Sequence, residues 1–155
     1  MEWRSVSIYF NKNGEIFIIP CRGCPEGMVE SEPWYITHIS DEETVYNYIK
    51  TAYEITAEGI EKKPNPSPIE IITKIKNWER ATRELGLLDF QWREDIDGFV
   101  LNLQKRKGGG FAGYKTIKIG DNIIDSIFKP VIIENLKNEY AIHVKLMEKK
   151  QRRNK

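Results

Sequence analysis

The chain has 155 residues, 40% of them hydrophobic and 30% charged, with a formal net charge of +1. That balance fits one globular domain with a sizeable core and excludes a disordered chain. No apolar run approaches the roughly 18 residues of a membrane span, and Met1-Glu-Trp-Arg4 has no apolar signal core, so a cytoplasmic protein without a membrane partner is expected. The small sum conceals a segregation of charge. Residues 145–155 carry six basic side chains against Glu148, whereas residues 21–61 carry nine acids against Arg22 and Lys50. Such asymmetry bears on partners rather than on fold.

In chain order, Ser5 to Phe10 alternates polar and apolar, Asn11-Lys-Asn-Gly14 supplies turn chemistry, and Ile16 to Ile19 follows, a β-hairpin pattern. Pro20 and the turn residues Cys21 to Gly27 lead to a third strand at Trp34 to Ile39. Ser40, with Glu43 three residues on, reads as a capping box. Val45, Tyr48, Ile49, Ala52 and Tyr53 then form one apolar helix face ending near Gly59. Ser67-Pro68 opens a second helix predicted to run to Leu85, with Gly86 as its cap. Leu88 to Arg93 and Phe99 to Leu103 form another hairpin across Asp97-Gly98. A third strand follows at Tyr114 to Ile119. A helical pattern from Asp121 is expected to break near Lys129, ahead of Pro130. Tyr140 to Leu146 alternates like a last strand, and residues 147–155 read as a basic, disordered tail.

Strand, turn, strand, helix thus occurs twice, at about 5–59 and 87–136, joined by the helix over 68–85. The expectation is a single α+β domain over 1–146, with antiparallel hairpins in one or two sheets and two or three helices packed on one side.

No motif demands a reaction or a cofactor. A zinc site at Cys21-x-x-Cys24 would need two further ligands, and only His38 and His143 remain, at no common spacing. Pro25 and Gly27 deny it the helix N-terminus of a redox motif, so both thiols read as incidental. Lys105-Arg-Lys-Gly-Gly-Gly-Phe-Ala-Gly113 lacks the ending of a phosphate-binding loop and reads as a strand connection. With the basic tail it supports an alternative function, a nucleic-acid-binding module in which Phe111 stacks on a base. His38 and His143 read as strand residues, and Trp34, Trp78 and Trp92 as core. The acidic stretch is the least generic feature left, because charge of one sign steers an oppositely charged partner.

Gly14-Glu-Ile-Phe-Ile-Ile-Pro20, Glu32-Pro33-Trp34-Tyr35 before an acid-started helix, a middle helix with Trp78, and Asp97-Gly98-Phe99 with the Lys105–Phe111 stretch resemble the immunity proteins of bacterial contact-dependent growth inhibition systems (the CdiI family), in their two-half form. The resemblance implies a non-catalytic protein, without cofactor, metal or small-molecule substrate, that blocks the active site of a toxin C-terminal domain, commonly a nuclease. An acidic surface can occupy a cleft built to grip phosphate. Glu26, Glu30, Glu32, Asp41, Glu42, Glu43 and Glu54 are the expected contacts, and binding to nucleic acid itself is not expected.

Overall fold

The computed structural model describes residues 3–153; Met1 and Glu2, part of the N-terminal reading, and Asn154 and Lys155, the end of the basic tail, lie outside the described residues. The hairpin of β1 (Trp3–Phe10) and β2 (Glu15–Cys24) forms as its pattern requires, with Phe10 opposite Ile16. The Asn11 side-chain oxygen accepts the backbone N–H groups of Asn13 and Glu15, both at 3.0 Å. Gly14 closes the turn at φ +83°, where a Cβ would lie 2.7 Å from His38 Nε2. The chain returns as β3 (Gly27–Glu30) and β4 (Tyr35–His38), both pairing with β2, and enters α1 (Glu42–Ile55). The second half repeats the plan with β5 (Gly86–Arg93), β6 (Gly98–Lys107), β7 (Gly110–Gly120) and α4 (Asp125–Arg153).

All seven strands join one antiparallel sheet in the order β3-β2-β1-β5-β6-β7, with β4 also on β2. The halves meet where β1 runs antiparallel to β5, Val6 facing Phe90. Each hairpin then extends outward from that seam, so half a turn about it roughly exchanges the two copies.

Alternation along the strands gives the sheet two faces. Val6, Ile8, Ile16, Ile18, Leu88, Phe90, Phe99 and Leu101 point to one, where α1 contributes Val45, Ile49 and Tyr53 and α4 contributes Phe128, Ile132 and Leu136. Phe90 is the centre of that core, 5.6 Å from both Tyr53 and Phe99 by ring centroid. Tyr9, Phe17, Ile19 and Leu87 point to the other face, covered by α2 (Pro68–Thr73) and α3 (Trp78–Thr82) through Ile69, Ala81 and Trp78. The helices therefore pack on both faces, four in all among the described residues, not on one side.

The single helix expected over 68–85 is divided. Lys74 and Asn77 adopt positive φ, 61° and 86°, and the Glu70 carboxylate accepts the Asn77 backbone N–H at 2.9 Å as well as that of Ser67 at 3.2 Å. One side chain thereby caps α2 and fixes the turn into α3. At α1 the cap is Asp41, which accepts from Thr44 N at 3.2 Å; Ser40, the expected cap, is held instead by His38 Nδ1 at 2.9 Å.

The largest departure is α4, which continues through Pro130 to Arg153. At 1.5 Å per residue it is about 43 Å long. Pro130 stands in the second turn and faces solvent, so the break expected near Lys129 does not occur. Tyr140 to Leu146 belongs to this helix, and residues 147–153 are helical as well. No helix among the described residues is long and apolar enough to cross a membrane.

Candidate functional site

The sheet places the seven predicted contacts in three settings. Asp41, Glu42 and Glu43 begin α1, at the end of the sheet where Phe10 meets Gly86. There Glu42 pairs with Lys137 and Glu43 with Lys129, both from α4. The Lys129 contact is the main cause that holds the Glu43 carboxyl below its usual range. Glu42 and Glu43 are thus already answered by cations within the protein, and Asp41 accepts from Thr44 as the cap of α1.

Glu30 is not a surface acid. It lies on β3, and its carboxylate accepts the Tyr9 hydroxyl at 2.7 Å across the sheet. Burial raises its pKa, partly offset by hydrogen bonds from Tyr9, Ser7 and Trp78. Asp89, buried on the same face and accepting from Gln104 and Asn102, is pushed up to about 7 by burial and by the Glu30 charge. Two carboxylates with no cation between them therefore share a polar pocket under α3 with Tyr9, Ser7 and Cys21. No local pattern marks this cluster, because its members are brought together only by strand register.

Glu26, Glu32 and Glu54 stand at the opposite end of the strands, where Trp3 meets Arg93. Arg22 builds this corner. Its guanidinium donates to the backbone oxygens of Glu58 at 3.0 Å, Glu32 at 3.1 Å and Gly59 at 3.3 Å, and the Gly23 oxygen accepts Ile60 N at 2.9 Å. The β2 terminus, the segment after α1 and the approach to β4 are thus bound into one frame. Glu54 lies one helical turn before Glu58, and Glu61 follows Ile60, so Glu58 and Glu61 belong to the same rim although they were not among the expected contacts. Of these acids Glu32 lines a depression of about 390 Å³, together with Arg22, Ile60, Lys62 and Lys63. Glu58 pairs with Arg22, and Glu26 feels the Lys63 charge, while Glu32, Glu54 and Glu61 make no ion pair among the described residues, leaving negative charge exposed at this corner.

Cys24 donates to Glu26 at 3.0 Å, the largest cause that lowers the Glu26 carboxyl. Cys21, three residues earlier on the same strand, faces the other side of it, beside Ser7 at 3.6 Å, and burial pushes its thiol up to about 12. A pair so divided cannot close on one metal ion or on each other. His38 donates from Nε2 to the Asn13 oxygen at 2.9 Å and accepts Ser40 N at Nδ1, pinning the first turn to the loop after β4.

The Lys105–Gly113 stretch is strand, not loop. β6 and β7 turn within Gly108-Gly109, with Lys107 opposite Gly110. Phe111 is half-buried: Trp78 and Tyr9 meet it edge-on at 6.0 and 6.3 Å, and the Arg106 guanidinium lies over it at 5.1 Å. No protein-family model matches the chain, and neither curated proteins nor solved structures gave a match.

Proposed function

We propose that this chain is an immunity protein of the contact-dependent growth inhibition type, which neutralises a toxin domain of the nuclease class by covering its active site. The observation that supports this reading most is the Arg22 frame, because it ties the backbone at Glu32, Glu58 and Gly59 to β2 and so fixes Glu32 and Glu58 at a corner where Glu26, Glu54 and Glu61 are also exposed, with no α4 lysine to answer them. Preset carboxylates complement a cationic cleft without the entropy cost of ordering a loop on binding. Glu42 and Glu43 belong to internal ion pairs, Asp41 is taken up as the cap of α1 by Thr44, and Glu30 is turned to the interior, so the proposed contact narrows to that corner. The nucleic-acid alternative is weakened, since Phe111 is half-buried, with one face under the Arg106 guanidinium and Trp78 and Tyr9 edge-on to it.

The experiment is co-expression with the C-terminal toxin domain encoded by the adjacent reading frame. Wild-type chain should restore growth and co-purify with the toxin, whereas the combined variant E26K/E32K/E54K should do neither while keeping its thermal unfolding transition. Full protection by that variant, or no toxin domain beside the reading frame, removes the proposal.

A further inference from the structure

Diagonally across the sheet from the acidic corner, three segments distant in sequence enclose a groove of about 710 Å³, within the range of small-molecule sites, roughly 300–1,000 Å³. One wall is the outer half of α4, one is the α3–β5 junction and one is the β6–β7 tip. The floor is apolar. Phe10 lies against Gly86, where any Cβ would overlap its ring, and Leu85 continues the surface. Above it Ile142 and Leu146 are 52% and 54% exposed, although Phe128, Ile132 and Leu136 earlier in the same helix are buried in the core. Large aliphatic side chains left in water around a concavity mark a surface that an apolar ligand can cover.

The rim carries charge that the protein does not use. Arg83, Lys105 and Lys150 line the groove and make no ion pair among the described residues. Arg106 is committed to Thr82 Oγ1 at 2.8 Å and to the Glu79 and Gly109 backbone oxygens at 3.0 and 3.4 Å. Of the two lining carboxylates, Glu139 accepts the Tyr114 hydroxyl at 2.5 Å. That of Glu79 packs over Gly109, 2.9 Å from where a Cβ would stand. His143 donates from Nε2 to the Glu84 oxygen at 2.9 Å, which leaves Nδ1 as an acceptor without a protein partner among the described residues. The lining groups without a hydrogen bond or ion pair among the described residues are three cations, the Glu79 carboxylate and one neutral acceptor above an apolar floor, so cations outnumber anions among them.

We infer that this groove binds a small amphipathic anion, an acyl chain of medium length ending in a carboxylate, with the chain on Leu85, Ile142 and Leu146 and the carboxylate among Arg83, Lys105 and Lys150. The walls favour a flexible chain over a flat ring. Leu85, Ile142, Leu146 and Met147 are aliphatic or thioether and adapt to an irregular shape, while the rings of the lining are engaged with their neighbours, Phe10 edge-on to His143 at 5.5 Å, Phe111 edge-on to Trp78 at 6.0 Å and Tyr114 hydrogen-bonded to Glu139. The unpaired cations favour a charged head over an alcohol, because a carboxylate desolvated beside them gains charge-assisted hydrogen bonds.

Titration calorimetry with sodium decanoate tests this, with decanol, a single-stranded RNA oligomer and phosphatidylglycerol vesicles as comparators. Decanoate should bind saturably at one site, and decanol about tenfold or more weakly. The variants K105E/K150E and L146D, all at accessible positions, should each weaken decanoate about tenfold without moving the urea midpoint. Absence of saturable decanoate binding overturns the inference, as does binding that both variants leave unchanged. So does binding of RNA or vesicles, abolished in K105E/K150E, without binding of decanoate, since the cations would then serve macromolecular phosphates.

Discussion

Arg22 holds Glu58 at two points, donating from Nε to its backbone oxygen at 3.0 Å and pairing through Nη2 with its carboxylate at 3.5 Å. The first contact orients the chain after α1, and the second keeps a carboxylate at the edge of the acidic corner. Charged donors to backbone oxygens contribute about 1.5–3 kcal/mol each when well enclosed, and this side chain is only 16% exposed. Arg22→Met, which keeps the aliphatic stem, should therefore cost about 1–3 kcal/mol in urea unfolding. It should also speed hydrogen exchange at Ile60, whose N–H depends on the Gly23 oxygen. An unchanged midpoint with unchanged exchange at Ile60 would show that the corner holds its shape without the guanidinium.

The division of the acidic stretch into two ends of the sheet separates two sets of charge reversals. E42K/E43K breaks ion pairs to Lys137 and Lys129. Exposed pairs of this kind contribute about 0.2–1 kcal/mol each, so a small fall in stability is expected with toxin association preserved. E26K/E32K/E54K breaks no α4 pair and should leave stability nearly level while slowing association with a cationic partner by about tenfold or more at low salt. Stopped-flow association rates at two salt concentrations check this. The assignment of the contact to the Arg22 corner fails if the α1 pair slows association and the corner triple does not.

Local chemistry made the hairpins legible, since Asn11 to Gly14 and Asp97-Gly98 are turn sequences flanked by alternation, and β1 pairs with β2, and β5 with β6, as that pattern requires. The repeat predicted two like halves but left open one sheet or two, and only the pairing of β1 with β5 decides it. Tyr140 to Leu146 misled because alternation and helical spacing coincide over so short a run. In α4, Leu136, His143 and Met147 turn inward, and Ile142 and Leu146 are left outside. The division of α2 from α3 depends on a left-handed Lys74 that no residue type announces. Glu30 is hidden from sequence for a different reason: only the return of β3 onto β2 brings it to Tyr9, 21 positions away.

Gly86 has the residue type of a helix cap, yet its position gives it another role. It opens β5 opposite Phe10, whose ring occupies the space a side chain would need. Gly86→Ala should cost about 1–3 kcal/mol through overpacking of the seam. F10L/G86A should recover part of that loss, because the smaller side chain vacates the site, and the two substitutions should couple in a double-mutant cycle. Additive losses measured by thermal unfolding would place the strain elsewhere.

The buried carboxylates give stability a particular pH dependence. Asp89 has a folded pKa near 7, raised first by burial and then by the Glu30 charge, against hydrogen bonds from Gln104 and Asn102. In the unfolded chain it returns to about 3.9. Below about pH 4 the group is protonated in both states and costs nothing. As pH rises from there to about 7 the unfolded chain releases the proton that the folded chain retains, so stability falls. Above about pH 7 the loss is complete and level, up to about 4 kcal/mol. Glu30, also raised by burial, acts in the same sense, and Tyr9 and Cys21 beside it stay neutral because burial raises both. Asp89→Asn keeps the volume and an oxygen for Gln104 while removing the titration. The variant should match wild type near pH 4 and exceed it progressively toward pH 8, since the carboxylates lowered by their contacts, such as Glu26 and Glu43, titrate alike in both proteins. Urea unfolding at pH 4, 6 and 8 measures that difference, and a gap between the two proteins that does not widen with pH would mean that Asp89 is ionised in the fold at no cost.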